Sequence, residues 1–557
     1  MDNKDRYVIG LDFGTDSVRA ILADAFSGEV VGTQTSVYQR WSEGLYCNGG
    51  ESRFRQHPKD YLEAMTEAVR SLTSVWKSEA EKVVSIALDS TGSTPCLCDR
   101  TGQPLALMDK WSECPDAMFI LWKDHSAERE AEEINSLLAR HSVNYAMYSG
   151  GVYSSECFWA KLLHVLRNTP ELREDAWSAV ELCDFIPAVL TGVTDAGGIM
   201  MGHCVTAAKM MWAERWGGYP PRSFFEELDP LLLPVRDHLP DNNYDCATSA
   251  GTLTPEWAER LGLKTGVKVG VGNIDSHSGA VGAGVRYGRM VMNLGTSACF
   301  MAVVPDEVIG DTVVDGVFNQ VEGSILPGMY GFEVGLSAFG DIFAWYRRLL
   351  GWSFDLIRGA ADGLSEETAR KLCDAADSAL LDRLAEEAES VVVTADTPLA
   401  TDWFNGRRSP YPDFGLTASI VNLRLGTTAA EIYYALCEAA AFAAKRNIDH
   451  LEEAGVRIDE LVGIGGIAGK SPFMMQLLAD VLQRTIEVSG QKQAGAMGAV
   501  IHAATVAGLY PDVMTAQESL CSPAMKTYCP DKGRLGLLMS RYEKYLEMGR
   551  FTEGVEN

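Results

Sequence analysis

A strand, a Gly-Thr turn and a second strand occur twice in this chain, about half its length apart. YVIGLDFGTDSVRAILAD begins at residue 7, and RMVMNLGTSACFMAVVP begins at residue 289. At 557 residues the chain is too long for a single core, so the size prior favours two large domains. Apolar strands joined by Gly-Thr turns are common, but a duplicated unit of half-chain length accounts for both observations. It predicts two related domains, a boundary around residues 276 to 290, and a cleft between them.

Local patterning fits a mixed α/β chain. Three strands over residues 6 to 38 read as an antiparallel meander with turns at Phe13-Gly14-Thr15-Asp16 and Phe26-Ser27-Gly28. Helical periodicity follows from about 58 to 76, then the strand VVSIALD at 83 to 89. The second half carries an Ala-rich helix at 427 to 455, the strand DELVGIGG, a glycine turn, the helix SPFMMQLLADVL and the strand TIEV. From about residue 511 the chain reads as loop and then helix.

Composition narrows the function. The formal charge of -28 repels phosphate backbones and anionic membranes, which argues against nucleic-acid and membrane partners. The same field repels a nucleoside triphosphate, so a site for one must supply backbone N–H groups, helix N-termini or Mg²⁺. No uncharged apolar run reaches the roughly 18 residues that a membrane span needs. The start MDNKDRYVIG lacks the apolar core and cleavage site of a signal peptide. Thirteen scattered cysteines show no zinc spacing. A cytoplasmic protein with reduced thiols and no metal cage is the expectation.

Four motifs carry chemistry. In Gly10-Leu11-Asp12-Phe13-Gly14-Thr15-Asp16-Ser17, Asp12 at a strand end can hold a Mg²⁺-bound water, while the backbone and hydroxyl groups of Gly14, Thr15 and Ser17 can face phosphate oxygens. A plain hairpin turn would use the same residue types. Asn293-Leu294-Gly295-Thr296-Ser297 repeats the arrangement, and the two loops together would clamp a triphosphate between domains.

Gly463-Ile464-Gly465-Gly466-Ile467-Ala468-Gly469-Lys470-Ser471 misses the P-loop pattern, because Ile464 stands where the first glycine belongs. It satisfies G-x-G-x-x-A, with Glu487 about 20 residues on, as a dinucleotide site requires. It equally suits close passage of backbone past an adenine or ribose in an actin-like ATPase. The two Gly-Thr loops have no use in a dinucleotide enzyme and favour the last reading.

In Val271-Gly272-Asn273-Ile274-Asp275-Ser276-His277-Ser278, Asp275 at a strand end can accept the proton of an attacking hydroxyl. His277 is a second candidate, or simply a residue at a helix start. Trp111, Trp122, Trp159 and Trp212 can wall a sugar or fill a core.

Taken together, these loops resemble the FGGY carbohydrate kinases, a branch of the actin, hexokinase and Hsp70 superfamily, over roughly residues 6 to 510. Tyr153-Ser154-Ser155-Glu156 through Lys161 looks like the N-terminal family signature. Asn422-Leu423-Arg424-Leu425-Gly426-Thr427-Thr428, leading into the helix with Glu438, looks like the C-terminal one. Within the family, GLDFGTDSVRA, Ser90-Thr91-Gly92-Ser93-Thr94-Pro95, Leu121-Trp122-Lys123-Asp124-His125 and Trp403-Phe404-Asn405-Gly406-Arg407-Arg408 look like the ribulokinase branch.

The resemblance implies an α/β fold of two actin-like, ribonuclease H-like ATPase domains about a central cleft: residues 1 to 282 for sugar and 283 to 557 for nucleotide. It implies Mg-ATP and L-ribulose as the small-molecule partners, with D-ribulose, xylulose and related pentitols as neighbouring possibilities and a homodimer compatible with the family. Asp275 matches the catalytic base. Sugar contacts would come from the Cys96 backbone, Lys209, Asp275 and Glu333. Nucleotide contacts would come from Gly14, Thr15, Asp16, Ser17, Gly295, Thr296, Gly465 and Gly466, with Asp12 and Asp275 holding Mg²⁺. Ser90 to Pro95 stands where many relatives carry an Arg-Glu pair for their polyol, which disfavours glycerol. An NAD-dependent oxidoreductase and a non-catalytic ATP-binding module are the competing classes.

Overall fold

The computed structural model describes residues 6–360 and 365–556; the charged start that spoke against a signal peptide lies largely outside them. The first lobe contains β1 (Tyr7–Phe13), β2 (Ser17–Asp24), β3 (Val30–Val37), α1 (Pro58–Val75), β4 (Val83–Ser90), β5 (Pro95–Cys98), β6 (Ser178–Glu181), α2 (His203–Lys209), β7 (Ser249–Thr252), β8 (Lys268–Gly270) and β9 (Asn273–Ile274). Helix α3 (Asp275–Gly282) follows directly. The second lobe contains β10 (Gly288–Leu294), β11 (Ala298–Pro305), β12 (Asn319–Glu322), β13 (Met329–Leu336), α4 (Gly340–Ala360), α5 (Ala429–Glu453), β14 (Ile458–Ile464), α6 (Gly466–Lys470), α7 (Pro472–Leu482), β15 (Ile486–Ser489), α8 (Ala494–Val506), β16 (Ala524–Tyr528) and α9 (Leu535–Glu556).

The repeat seen in the sequence extends to whole sheets. The first sheet runs β3-β2-β1-β4-β8-β7 and the second runs β13-β11-β10-β14-β15-β16, with β12 added at its edge. Every pairing in the two series has the same polarity. The opening hairpin and its third strand are antiparallel, the next two pairings are parallel, and the last strand is antiparallel again. This is the actin-like arrangement that the resemblance implied.

The strands form where the sequence alternates or runs apolar. The β1 segment YVIGLDF is almost wholly buried, as a strand covered on both faces must be. In contrast β16, AMKTY, is exposed along four of its five residues. It gives no apolar signal and is missed by sequence reasoning. The Ala-rich helix α5 starts at Thr428, whose side chain and that of Glu431 form a reciprocal capping box.

Each lobe has its own apolar core, and a third core lies between them, built largely from α3, α8 and the facing strands. Helix α8, AGAMGAVIHAATV, is buried all round from Ala496 to Val506, so it packs on partners on every side. Close approach depends on glycine. A Cβ on Gly498 would lie 1.9 Å from the Ser278 carbonyl oxygen, and one on Gly282 2.0 Å from that of Ala494. Because the obstructing atoms are backbone, neither contact can be relieved by rotating a side chain. Gly498→Ala is expected to force the helices apart at a cost of about 3 kcal/mol, read as a lower midpoint in thermal unfolding.

Candidate active site

Strand register assembles a row of acids at the lobe junction. β1, β4 and β9 lie side by side in parallel, with Asp12 opposite Asp89 and Asp89 opposite Asn273; Asp275 opens α3 two residues later. Asp89 is fully buried and neither of its carboxylate oxygens has a hydrogen-bond partner. Burial, with the charges of Asp12 and Asp275, pushes it well above the usual carboxylate range. Burial also raises Asp12, which is offset by Arg19 Nη1 at 3.0 Å from Oδ2. The first turn of α8 passes close by, since a Cβ on Gly495 would lie 3.1 Å from the same oxygen, and a helix N-terminus favours an anion there. Burial and the Asp12 charge move Asp275 up to about 7. Asp89 was not singled out from the sequence, although VVSIALD ends in aspartate just as YVIGLD does.

Both Gly-Thr turns are closed by a bond from the glycine N–H, but the first is one residue longer, with four residues between the last paired positions against three. Gly14 N donates to Ser17 O at 3.0 Å and Gly295 N to Ser297 O at 3.0 Å. Thr15 is held by Trp122, whose indole N–H donates to Oγ1 at 3.0 Å, and by Gln56, which donates to its carbonyl at 2.6 Å. The Asp16 carboxylate accepts from the Trp41 indole at 2.7 Å. The start of α4 braces the other turn, as Gly340 N donates to Gly295 O at 3.0 Å and Phe339 N to Thr296 O at 2.9 Å.

Gly465 adopts φ +91°, and a Cβ there would lie 2.6 Å from Leu294 O; only glycine lets the β14–α6 corner sit against the end of β10. Gly466 has open space above it. A chain of direct neighbours then links both halves. Asn293 pairs with Ile464, Gly279 of α3 lies against Ile464 and Gly495, and Gly495 lies against Asp12. The phosphate-type turns of both lobes therefore flank one helix crossing.

A second cluster forms beside Asp275. Lys209 ends α2, its carbonyl accepting from Tyr153 Oη at 2.6 Å and its Nζ lying 4.6 Å from the Phe318 ring centroid. Glu333 of β13 accepts from Asn319 Nδ2 at 2.9 Å and lies 3.4 Å from His277 Nε2. Although burial opposes ionisation, His277 and the Lys209 charge hold Glu333 well below the usual carboxylate range.

The other nitrogen of His277, Nδ1, faces the Ser324 carbonyl at 3.2 Å and Cys204 Sγ at 2.9 Å. The ionised Glu333 carboxylate can only accept, so Nε2 carries a proton, while Nδ1 is shared between the Ser324 carbonyl and the Cys204 thiol, which can donate as well as accept. Burial alone would lower His277, but Cys204 and Glu333 raise it to about 10. Raised by these neighbours and facing Glu333, His277 suits the base role less well than Asp275.

The Cys96 side chain belongs to the core. It is fully buried in the first-lobe core, opposite Val180 in the β5–β6 pair, with its thiol donating to Ala117 O. Of the four tryptophans, Trp122 alone touches a predicted site residue through its indole. Trp111 binds Asp175, Trp159 is core with its N–H on Met210 O, and Trp212 meets His203 edge-on.

In the family-type signatures, Lys161 and Glu438 are buried and paired. Lys161, buried and lowered to about 8 by desolvation, donates to Ser93 O at 2.8 Å and Leu121 O at 2.9 Å. Glu438 is fully buried and bound by Arg541 of α9 at 2.5 to 3.0 Å. Glu487, which a dinucleotide site would need for a ribose, pairs with Arg289 at 2.9 Å, so that reading of the glycine loop is discarded.

Comparison with known proteins agrees with this geometry. The N-terminal domain of the FGGY family of carbohydrate kinases matches residues 7–282, and its C-terminal domain matches residues 290–507. A ribulokinase of Vibrio parahaemolyticus is 41% identical over 554 residues, covering 99% of this chain and 96% of its own. One from Shouchella clausii is 34% identical at the same coverages. Among solved structures, a xylulose kinase from Rhodospirillum rubrum superposes with a TM-score of 0.76 at 19% identity, over 99% of each chain. A Plasmodium falciparum glycerol kinase superposes with 0.74 at 15% identity, over 98% of each; at such identities the likeness concerns the fold. With paired actin-like lobes, two phosphate-type turns at one crossing and a buried acid row between them, the chain belongs to the FGGY family of carbohydrate kinases and is a sugar kinase.

Proposed function

We propose that the protein transfers the γ-phosphoryl group of Mg-ATP to the terminal hydroxyl of L-ribulose, giving L-ribulose 5-phosphate in arabinose breakdown. The observation that carries this reading is the position of Asp275, half-buried at the end of the acid row and beside the Lys209–Glu333 cluster. The match of ribulokinases to almost the full chain supports ribulose as the acceptor. We divide the chain into a sugar-binding domain, 1 to 282, and a nucleotide-binding domain, 283 to 557. The cytoplasm is the matching compartment, since all thirteen cysteines are free thiols.

In this mechanism Glu333 and Lys209 orient the sugar, and Asp275 accepts the proton of the attacking hydroxyl as the bond to phosphorus forms. The backbone N–H groups of Gly14 to Ser17 and of Gly295 and Thr296 hold the triphosphate, while Gly465 and Gly466 leave room for the nucleoside. Asp12 and the orphaned carboxylate of Asp89, with Asp275 beside them, suit a divalent cation. Among the described residues no group of three His, Cys, Asp or Glu converges into a metal cage, and Mg²⁺ bound with waters and phosphates needs none. When bound, Mg²⁺ would neutralise charge on the phosphates. Closure of the two lobes excludes water as a competing acceptor.

Because Asp275 must be ionised to accept a proton and stands near 7, kcat/KM for the sugar is expected to rise as pH increases from 6 to 8 and then level off. Asp275→Asn should abolish that limb. The function itself is tested by coupled ADP release with Mg-ATP and a panel of L-ribulose, D-ribulose, xylulose, ribitol and glycerol. The highest kcat/KM is expected on L-ribulose; turnover best on glycerol, or ATP hydrolysis independent of sugar, overturns it.

A further inference from the structure

Two adjacent arginines in the Trp403-Phe404-Asn405-Gly406-Arg407-Arg408 segment have different surroundings. Arg407 is spent within the second lobe: it pairs with Glu553, donates to Tyr411 O at 2.9 Å and lies over the Trp403 ring. Arg408 turns the other way, toward the cluster beside Asp275. It is 91% buried, being 9% exposed. Its guanidinium lies 4.6 Å from the Phe318 ring centroid, the same ring that Lys209 approaches at 4.6 Å. Glu333 is close enough to add to its stability as a cation.

The partners of Arg408 are few. Nη1 donates to Cys299 Sγ at 3.3 Å, a weak acceptor. Nη2 stands 3.7 Å from Glu156 of the first lobe, an ion-pair distance beyond a good hydrogen bond. Nε has no partner at all. A guanidinium carries five N–H donors, and leaving them unmet in a buried place is costly. The backbone is fixed as well, since Ser409 Oγ bonds both the N–H and the C=O of Gly335 on the neighbouring strand. Arg408 is therefore a held cation with unspent donors.

We infer that Arg408 is a substrate-contacting, specificity-determining residue, which with Lys209 reads the acceptor-only carbonyl oxygen of a ketose. The cluster divides by hydrogen-bond type. Glu333 and Asp275 as carboxylates accept from hydroxyls, whereas Lys209 and Arg408 only donate. An alditol of equal length carries hydroxyls alone, and one of them must turn its hydrogen away from two cations. The ketose offers a polarised oxygen with no hydrogen to turn. This inference rests on the sugar-kinase reading above.

The test compares kcat/KM for L-ribulose and ribitol in the wild type, Arg408→Met and Arg408→Lys, with thermal midpoint and the KM for ATP measured alongside. In Arg408→Met the value for L-ribulose is expected to fall about 100-fold and that for ribitol about tenfold or less, through KM more than kcat, with the KM for ATP within about twofold. Arg408→Lys is expected to recover part of the ketose preference. Equal loss on both substrates, or an unchanged ratio in either variant, overturns the inference. If Arg408→Met does not fold, the ratio in Arg408→Lys decides. Wild type that phosphorylates neither compound would instead overturn the function proposed above.

Discussion

Replacing Asp275 by Asn is expected to lower kcat about 10³-fold, equivalent to about 4 kcal/mol of transition-state stabilisation, while leaving the KM for ATP within about twofold. Asparagine keeps the shape of the side chain and its place at the start of α3, but removes the carboxylate that stands between the acid row and the sugar cluster and takes the proton. Lys209 and Arg408 are cations, Glu333 is held ionised by its neighbours, and both nitrogens of His277 face acceptors. The same substitution removes one of three mutually repelling carboxylates, so the thermal midpoint without nucleotide is expected to rise. A fall in ATP affinity equal to the fall in kcat would assign Asp275 to the nucleotide instead. Loss of turnover with a lower midpoint would make it a structural residue.

Arg541→Met is expected to destabilise the protein by about 3 to 5 kcal/mol without touching the chemistry. The Glu438–Arg541 pair is almost wholly buried, at 0% and 1% exposure. Arg541 also donates to the carbonyls of Thr394, Thr397 and Pro398 at 2.8 to 3.1 Å. Removing it leaves a carboxylate that burial already raises and three carbonyls without their donor. The double variant Glu438→Gln with Arg541→Met is expected to regain part of the loss, because no charge is then stranded. Thermal or urea unfolding measures both. If the double variant lost as much as the sum of the singles, the stranded-charge account would fail. The glutamate of the C-terminal signature thus acts by docking α9 on α5.

Much of this was legible from the sequence because the informative features are local. Both Gly-Thr hairpins, the helix capped by Thr428 and the Gly465 corner depend on residues within a few positions of one another, where turn chemistry and periodicity speak directly. What was missed depends on distant partners. Strand β16 is an exposed edge whose residues carry no alternation. Asp89 matters because register places it between Asp12 and Asn273, and no spacing rule relates those three positions. Arg408 looks the same as Arg407 in a sequence; only the fold sends one to Glu553 and the other toward Phe318 and Glu156. His277 lost ground to Asp275 as a base only when Ser324 and Glu333, both more than 40 residues on, were seen to face its two nitrogens.

The central claim is that hairpins from two related lobes grip one triphosphate while Asp275 addresses the sugar. A crystal structure with Mg²⁺, a non-hydrolysable ATP analogue and L-ribulose tests it most directly. The expected result is phosphate oxygens within hydrogen-bond distance of backbone N–H groups in both the Gly14–Ser17 and Gly295–Ser297 turns, and a terminal sugar hydroxyl on the Asp275 carboxylate. A nucleotide seated on one lobe alone, or a sugar whose terminal hydroxyl faces away from Asp275, would contradict it.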